Sequence, residues 1–421
     1  MTEKEQAAIF AHARKRYEAI GVDVEAALER LAETPISIHC WQGDDVRGFE
    51  MGSGELDGGI QVTGSHPGAA RTPAELMADF REAIARIPGP KRINLHAIYA
   101  VVDPDDPVGR DALRPRDFAP WVDFARDNGL GIDFNPTLFS SPHMRDGLSL
   151  SSPDEATRQY WIRHCQASRR IAAWIAGQLG DDVLCNIWIP DGLKDIPGDR
   201  SGPRERLADS LDQIFAEPLD GVLDSVESKV FGIGLESYTV GSHDFYLGYA
   251  LSRPGVLVLI DSGHFHPTEN VADKLSSLLL FFDEIPMHVT RSVRWDSDHV
   301  LVVDNELLGI AREIVRCHAL DRVRIGLDFF DGSVNRVAAW ISGTRAMQKA
   351  LLRALLEPAG RLREYQDTAR WTELLVEQDA LFSLPFGAVW DEYCRRQGVP
   401  DDWSWLADIM AYEEGVIAAR G

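Results

Sequence analysis

The chain has 421 residues, 45% hydrophobic and 26% charged, with 43 Lys and Arg against 66 Asp and Glu for a formal net charge of −23. Such a surplus repels phosphate backbones and anionic membranes, which argues against nucleic acid and lipid partners and suits a neutral substrate or a bound cation. The length is enough to bury a large core, and it fits a barrel with additions or two ordinary domains.

Cys40, Cys165, Cys185, Cys317 and Cys394 are scattered, odd in number and without C-x-x-C spacing. Neither a disulfide framework nor a zinc knot is expected, and a reducing compartment is the simplest setting. The opening Met1-Thr2-Glu3-Lys4-Glu5 starts a charged helical pattern with no signal-peptide core, and apolar runs such as 278–282 are far too short to span a bilayer. A cytoplasmic protein is expected.

In chain order, residues 1–35 read as N-terminal helices. Short apolar runs at 36–40, 92–98, 130–135, 183–189, 222–230, 256–261, 287–290 and 323–329 then alternate with helical patterns, and several are rich in Val and Ile as buried parallel strands are. Helix starts are readable. Thr72-Pro73-Ala74-Glu75 sets an N-cap Thr, a first-position Pro and a third-position Glu, and Ser152-Pro153-Asp154-Glu155 repeats the device. Gly129 sits where a left-handed glycine would end the helix before the third strand. Helical patterns follow strand six at 268–282 and strand seven at 305–320.

Eight strands, each followed by a helix or a long excursion, predict an α/β fold, a (β/α)₈ barrel over 36–340, with a doubly wound sheet as the alternative. Residues 341–421 read as a C-terminal helical extension suited to packing on the barrel, to subunit contacts, or to both. The stretch 41–71 is long, rich in Gly, Asp and Ser, and follows strand one, so it is expected to be a lid over the catalytic face.

Catalytic groups of this fold sit at the C-terminal ends of the strands. Glu227-Ser228-Lys229 on strand five places a carboxylate and an ammonium on one side, two residues apart, though a buried ion pair would look the same. Strand six ends Leu259-Ile260-Asp261-Ser262-Gly263-His264, two ligands close together. Strand seven carries His288, which taken alone reads as a core histidine, and the following loop carries Arg294-Trp295-Asp296-Ser297-Asp298-His299. Strand eight ends Gly326-Leu327-Asp328.

Together Glu227, Asp261, His264, His288, Asp296, Asp298 and Asp328 form one rim of five carboxylates and two imidazoles, which repel unless protonated or bound to cations. Mostly oxygen ligands with some imidazole favour Mg²⁺, Mn²⁺ or Co²⁺ over zinc, and there are enough for two divalent ions. Two such ions beside a lysine can polarise a carbonyl and a neighbouring hydroxyl of a polyol, with Lys229 stabilising charge on the carbonyl oxygen. The first half of the barrel adds Asn94-Leu95-His96, Asp133-Phe134-Asn135 and Asn186-Ile187-Trp188-Ile189-Pro190-Asp191. His96 and Trp188 are candidates for binding substrate; Trp188, like His39 and Trp41, could stack on a sugar or pack in the core. Gly232-Ile233-Gly234 lacks the third glycine of a dinucleotide site, and the chain has no P-loop and no G-x-S-x-G elbow.

Glu-x-Lys on strand five, Asp-x-x-His after strand six, His on strand seven, Asp-x-Asp beyond it and Asp on strand eight resemble the xylose isomerase-type barrel. Over nearly its whole length the chain more closely resembles the L-rhamnose isomerase family. That resemblance is carried by His39-Cys40-Trp41-Gln42-Gly43-Asp44-Asp45, Asn94-Leu95-His96-Ala97-Ile98-Tyr99, Asn186-Ile187-Trp188-Ile189-Pro190-Asp191-Gly192, Glu236-Ser237-Tyr238-Thr239-Val240-Gly241-Ser242, Gly263-His264-Phe265-His266-Pro267-Thr268-Glu269 and Val293-Arg294-Trp295-Asp296-Ser297-Asp298-His299. It implies interconversion of L-rhamnose and L-rhamnulose, the first step of L-rhamnose catabolism, by a metal-assisted hydride shift, with Lys229 and Asp298 catalytic. It implies Mn²⁺ at two sites, one of which could take Mg²⁺, Co²⁺ or Zn²⁺, and a homotetramer. Glu227, Asp261, His288 and Asp328 would hold a structural ion, and Asp261, His264, Asp296 and Asp298 a catalytic one. An epimerase would need acid/base groups on opposite faces of one carbon, and a nuclease a basic stripe; a sugar-binding protein would need no metal ligands beside a lysine.

Overall fold

The computed structural model describes residues 2–50, 62–230, 237–293 and 296–420. Eight parallel strands close into a barrel: β1 Ile36–His39, β2 Lys91–His96, β3 Gly131–Asn135, β4 Val183–Trp188, β5 Val222–Glu227, β6 Val256–Asp261, β7 Ile285–Val289 and β8 Val323–Leu327, with β8 pairing back onto β1. Closure excludes the doubly wound alternative, because an open sheet would leave β1 and β8 as edges.

Two helices, α1 Glu3–Glu18 and α2 Val24–Ala32, precede the barrel. The barrel helices follow the strands in order: α3 Pro73–Ile84, α4 Ala119–Asn128, α5 Glu155–Leu179, α6 Ser201–Ile214, α7 His243–Leu251, α8 Val271–Leu278, α9 Asn305–Arg316 and α10 Arg336–Leu355. The last runs across residue 340, so the eighth helix of the barrel takes in the first part of 341–421. The chain ends in α11 Ala359–Asp367, α12 Trp371–Ala380, α13 Phe386–Arg396 and α14 Trp405–Gly415. Among the described residues no helix is long and apolar enough to cross a membrane.

Local chemistry explains most boundaries. Thr72 caps α3 through its hydroxyl, 3.2 Å from the Glu75 amide, with Pro73 in the first turn. Gly129 ends α4 in the left-handed region at φ 64°. The cap of α5 is Asp154 rather than Ser152: its carboxylate takes both the Thr157 amide at 2.9 Å and the Thr157 hydroxyl at 2.8 Å, so the helix starts two residues later than the Ser-Pro pattern suggests. Strand five stops at Glu227 instead of continuing to residue 230, because the Lys229 amide turns to the Gly241 carbonyl and leaves the ladder. Strand two stops at His96, where Ala97–Tyr99 tighten into a 3₁₀ turn.

The ladder registers set the rim. Trp188 lies beside Glu227, Glu227 beside Leu259, and Asp261 beside His288. Gly326 is the β8 neighbour of His288, and a Cβ there would stand 3.1 Å from the imidazole, so the glycine lets the ring lie flat against the strand. The first loop is pinned at both ends. Arg336 pairs with Asp45 at 2.8 Å, the Phe49 amide bonds the Ile98 carbonyl, and Thr63 and His66 exchange backbone bonds with Gly332. Residues 51–61, the tip of the expected lid, lie outside the described residues.

Candidate active site

Four ligand-bearing side chains converge from the four consecutive strands β5 to β8. Ligand atoms of Glu227, Asp261, His288 and Asp328 all lie within 4.8 Å of one another. His288 Nδ1 stands 3.4 Å from both Glu227 Oε2 and Asp328 Oδ2. Glu227 and Asp261 close their strands and Asp328 follows the last residue of β8, so an apolar core runs to the rim and ends in oxygen donors.

His264 extends the cluster, with Nδ1 3.4 Å from Glu227 Oε1 and Nε2 3.3 Å from Asp296 Oδ2. The turn leading to it depends on Gly263, whose amide donates to Asp261 Oδ1 at 2.6 Å. A Cβ there would fall 2.9 Å from Asp296 and 3.1 Å from Asp261. The loop carrying Asp296 and Asp298 is tied across its base by backbone bonds between Arg291 and His299, and the Asp298 carbonyl accepts from the Phe330 amide. Asp298 is left-handed at φ 45°, a conformation Asp tolerates better than most residues. Arg294, Trp295 and 231–236 lie outside the described residues, and with them the Gly232-Ile233-Gly234 motif.

The electrostatics are those of crowded acids. Burial drives the Asp261 carboxyl well above its ordinary range, and Glu227, Asp328 and Asp296 add to it against the pull of His264. Asp298 is raised for the same reason, reinforced by Asp296, Asp328 and Asp261. Burial pulls His264 and His288 down, but the carboxylates around each outweigh it and hold both imidazoles well above the usual value. Burial would also raise Asp328, yet the imidazolium of His288 keeps it low. The cluster by itself therefore approaches neutrality by holding protons, which divalent cations displace.

Several buried atoms fit that exchange: Glu227 Oε1, Asp261 Oδ2, Asp296 Oδ1, His264 Nδ1 and His288 Nδ1 have no hydrogen-bond partner. An orphaned buried carboxylate oxygen is costly, and three such oxygens with two imidazole nitrogens around one volume suit cation ligands. A buried acidic and histidine cluster able to hold a divalent metal is thus present. The other carboxylate oxygens are fixed from behind. Asn186 donates to Glu227 Oε2 while its own oxygen accepts from Ser225 at 2.9 Å, and Trp41 Nε1 donates to Asp328 Oδ1 at 2.8 Å. Such outer partners hold ligands in one orientation.

Lys229 and an aromatic wall complete the cleft. Lys229 Nζ lies 4.9 Å over the Trp188 ring. Burial lowers its pKa against the opposing pull of Asp296, Asp298 and Glu227. Trp41, His96, Phe139 and Trp188 follow one another edge to face, with centroids 4.8, 5.5 and 5.9 Å apart. His96 Nδ1 is 3.1 Å from the Thr137 hydroxyl. Asn135, Asn186, Lys229, Asp296 and Asp298 share this cleft with the wall.

The sequence motifs separate by depth. Of His39 and Trp41, the first is core: it is fully buried and its carbonyl accepts from Trp340. Asp133 sits one layer below the mouth, paired with Arg92 at 2.9 Å and bonded to Ser37 at 2.6 Å. Asp191 holds the 148–152 loop through Ser149 and Ser151. Val46, Phe139 and Phe330 line the cleft without having been singled out; each lies in a loop, where no periodicity marks an inward face.

Comparison with known proteins agrees with this geometry. A family model described as L-rhamnose isomerase (RhaA) matches residues 4–420. The chain is 53% identical to an L-rhamnose isomerase of Shigella sonnei over 411 residues and 54% identical to one of Salmonella paratyphi A over 410, each alignment covering 97% of both chains.

Proposed function

The chain belongs to the L-rhamnose isomerase family, an aldose–ketose isomerase acting on a sugar, and on that basis we propose how its barrel mouth converts L-rhamnose to L-rhamnulose. The observation that carries the reading is the Glu227–Asp261–His288–Asp328 set, with its unpartnered buried atoms, beside Lys229 on Trp188. Glu227, Asp261, His288 and Asp328 would hold one divalent ion, and Asp261, His264, Asp296 and Asp298 a second, with Mn²⁺ as the preferred metal at both and Mg²⁺, Co²⁺ or Zn²⁺ as a substitute at one. Bound there, the ions supply Lewis acidity that polarises the open-chain carbonyl and the adjacent hydroxyl.

The chain's own groups do the rest. Trp188, His96 and Phe139 present apolar faces to the sugar and exclude water from its reacting end. Hydrogen moves with its electron pair from C2 to C1, the C2–H bond breaking as the C1–H bond forms. The O2 hydroxyl loses its proton as C2 becomes the carbonyl, and O1 gains one. Lys229 stabilises the negative charge on O1, and Asp298 places the proton that passes between the two oxygens. The assembly is a cytoplasmic homotetramer. L-Rhamnose deuterated at C2, converted in ordinary water, should give ketose with the label retained at C1. Wash-out of the label to solvent would replace the hydride shift with an enediol route.

A further inference from the structure

On the outer side of the barrel, α1, α9, α10 and the 3₁₀ turn Leu381–Ser383 border a pocket whose lining includes Tyr17, Arg312, Arg353, Glu357, Leu381 and Phe382. In a chain of net charge −23 it is locally positive. Arg312 and Arg316 share the single carboxylate of Glu357, at 2.6 and 2.7 Å. Arg353 has no carboxylate within ion-pair distance among the described residues, and Arg312 repels it. Within the lining itself, Arg312 and Arg353 face the one carboxylate of Glu357, an excess of one positive charge in a half-open pocket.

The rings fix where those charges point. The Arg353 guanidinium stacks 3.9 Å from the Phe386 centroid and that of Arg312 lies 5.5 Å from the Phe382 centroid, so each guanidinium is covered on one face and its N–H edges remain for an acceptor. Tyr17 is only 3% exposed, borders the pocket, and its hydroxyl makes no hydrogen bond among the described residues. The phenol opens onto the pocket beside an unneutralised guanidinium, so both can donate to one acceptor-rich anion.

We propose that Tyr17, Arg312 and Arg353 form a binding site for a tetrahedral oxyanion of the phosphate class, distinct from the sugar cleft. A phosphoryl group is anionic at neutral pH, opposite in sign to the excess, and offers acceptors to both guanidinium edges and the phenol. Inorganic phosphate and a phosphate monoester share this chemistry.

The test is isothermal titration of metal-loaded protein with inorganic phosphate, ionic strength held constant with chloride. A saturable phase of one phosphate per chain is expected. Arg353→Met should weaken it by at least about tenfold and Tyr17→Phe by about threefold, while ketose formation stays unchanged in both variants. If Arg353→Met does not fold, Tyr17→Phe carries the comparison. Glycerol phosphate competing for the same phase would assign the site to phosphate esters, and failure to compete would assign it to free phosphate. No saturable phase, as when a neighbouring chain seals the pocket, or equal binding by wild type and both variants, would overturn the proposal.

Discussion

Asp298 combines a left-handed backbone at φ 45° with a half-buried carboxyl among three other acids. Neither feature helps the fold, and both persist only where surrounding contacts impose them, as functional sites do. Asp298→Asn keeps the side-chain volume and the tolerance for positive φ while removing the charge. Ketose formation should fall by at least about a hundredfold with an unchanged circular dichroism spectrum; a loss of helicity would mean the residue serves the fold instead. At this scale the rim cluster was legible, because Glu227, Asp261 and Asp328 stand where apolar strand runs end in an acid. His288 gained its weight only from company. Depth was not legible: Asp133 and Asn135 are two apart on one face of β3, yet Asp133 lies one layer deeper, where Arg92 neutralises it. Phe139 and Val46 reach the cleft from irregular loops, whose path no periodicity encodes.

At the scale of elements, all eight strands stood out as short apolar runs, and their edges shifted for local reasons. Pro286 lies inside β7, which begins at Ile285, two residues before the expected start. A proline reads as a strand breaker, but one missing amide is tolerated in a ladder fixed by Val323, Ile325 and Leu327 alongside. Helix α12 is the element that the single chain leaves unexplained. None of its residues is buried, and Trp371, Leu375 and Val376 are 58, 68 and 62% exposed. Exposed apolar groups clustered on one helix mark a contact surface. Subunit contact at this helix predicts a sedimenting species of four times 46.8 kDa, reduced in size by Val376→Glu. A wild-type monomer would refute the assembly, and an unshifted variant would move the contact elsewhere.

For the molecule as a whole, the acidic excess and the metal site are one problem in charge. His264, His288, Asp261 and Asp298 all hold protons above their ordinary values in the folded, metal-free protein. Unfolded, the histidines return to about 6.5 and the acids to about 3.9. At these four groups the native state therefore binds more protons than the unfolded one. The stability these groups contribute is present below the unfolded values and is lost as pH rises through the folded ones. Metal-free protein should accordingly lose Tm as pH rises above about 6.5, and Mn²⁺ should raise Tm by more at about pH 8 than at about pH 6, since binding displaces those protons. An equal metal shift at both values would separate the titrating groups from the metal site.

In the proposed reaction the rim cluster, a divalent metal and L-rhamnose act together. Its most direct measurement is ketose formed from L-rhamnose by protein stripped with chelator, with and without added Mn²⁺. Negligible ketose after stripping and restored turnover with metal are expected. Undiminished ketose without metal, or no ketose with any divalent ion, would contradict it.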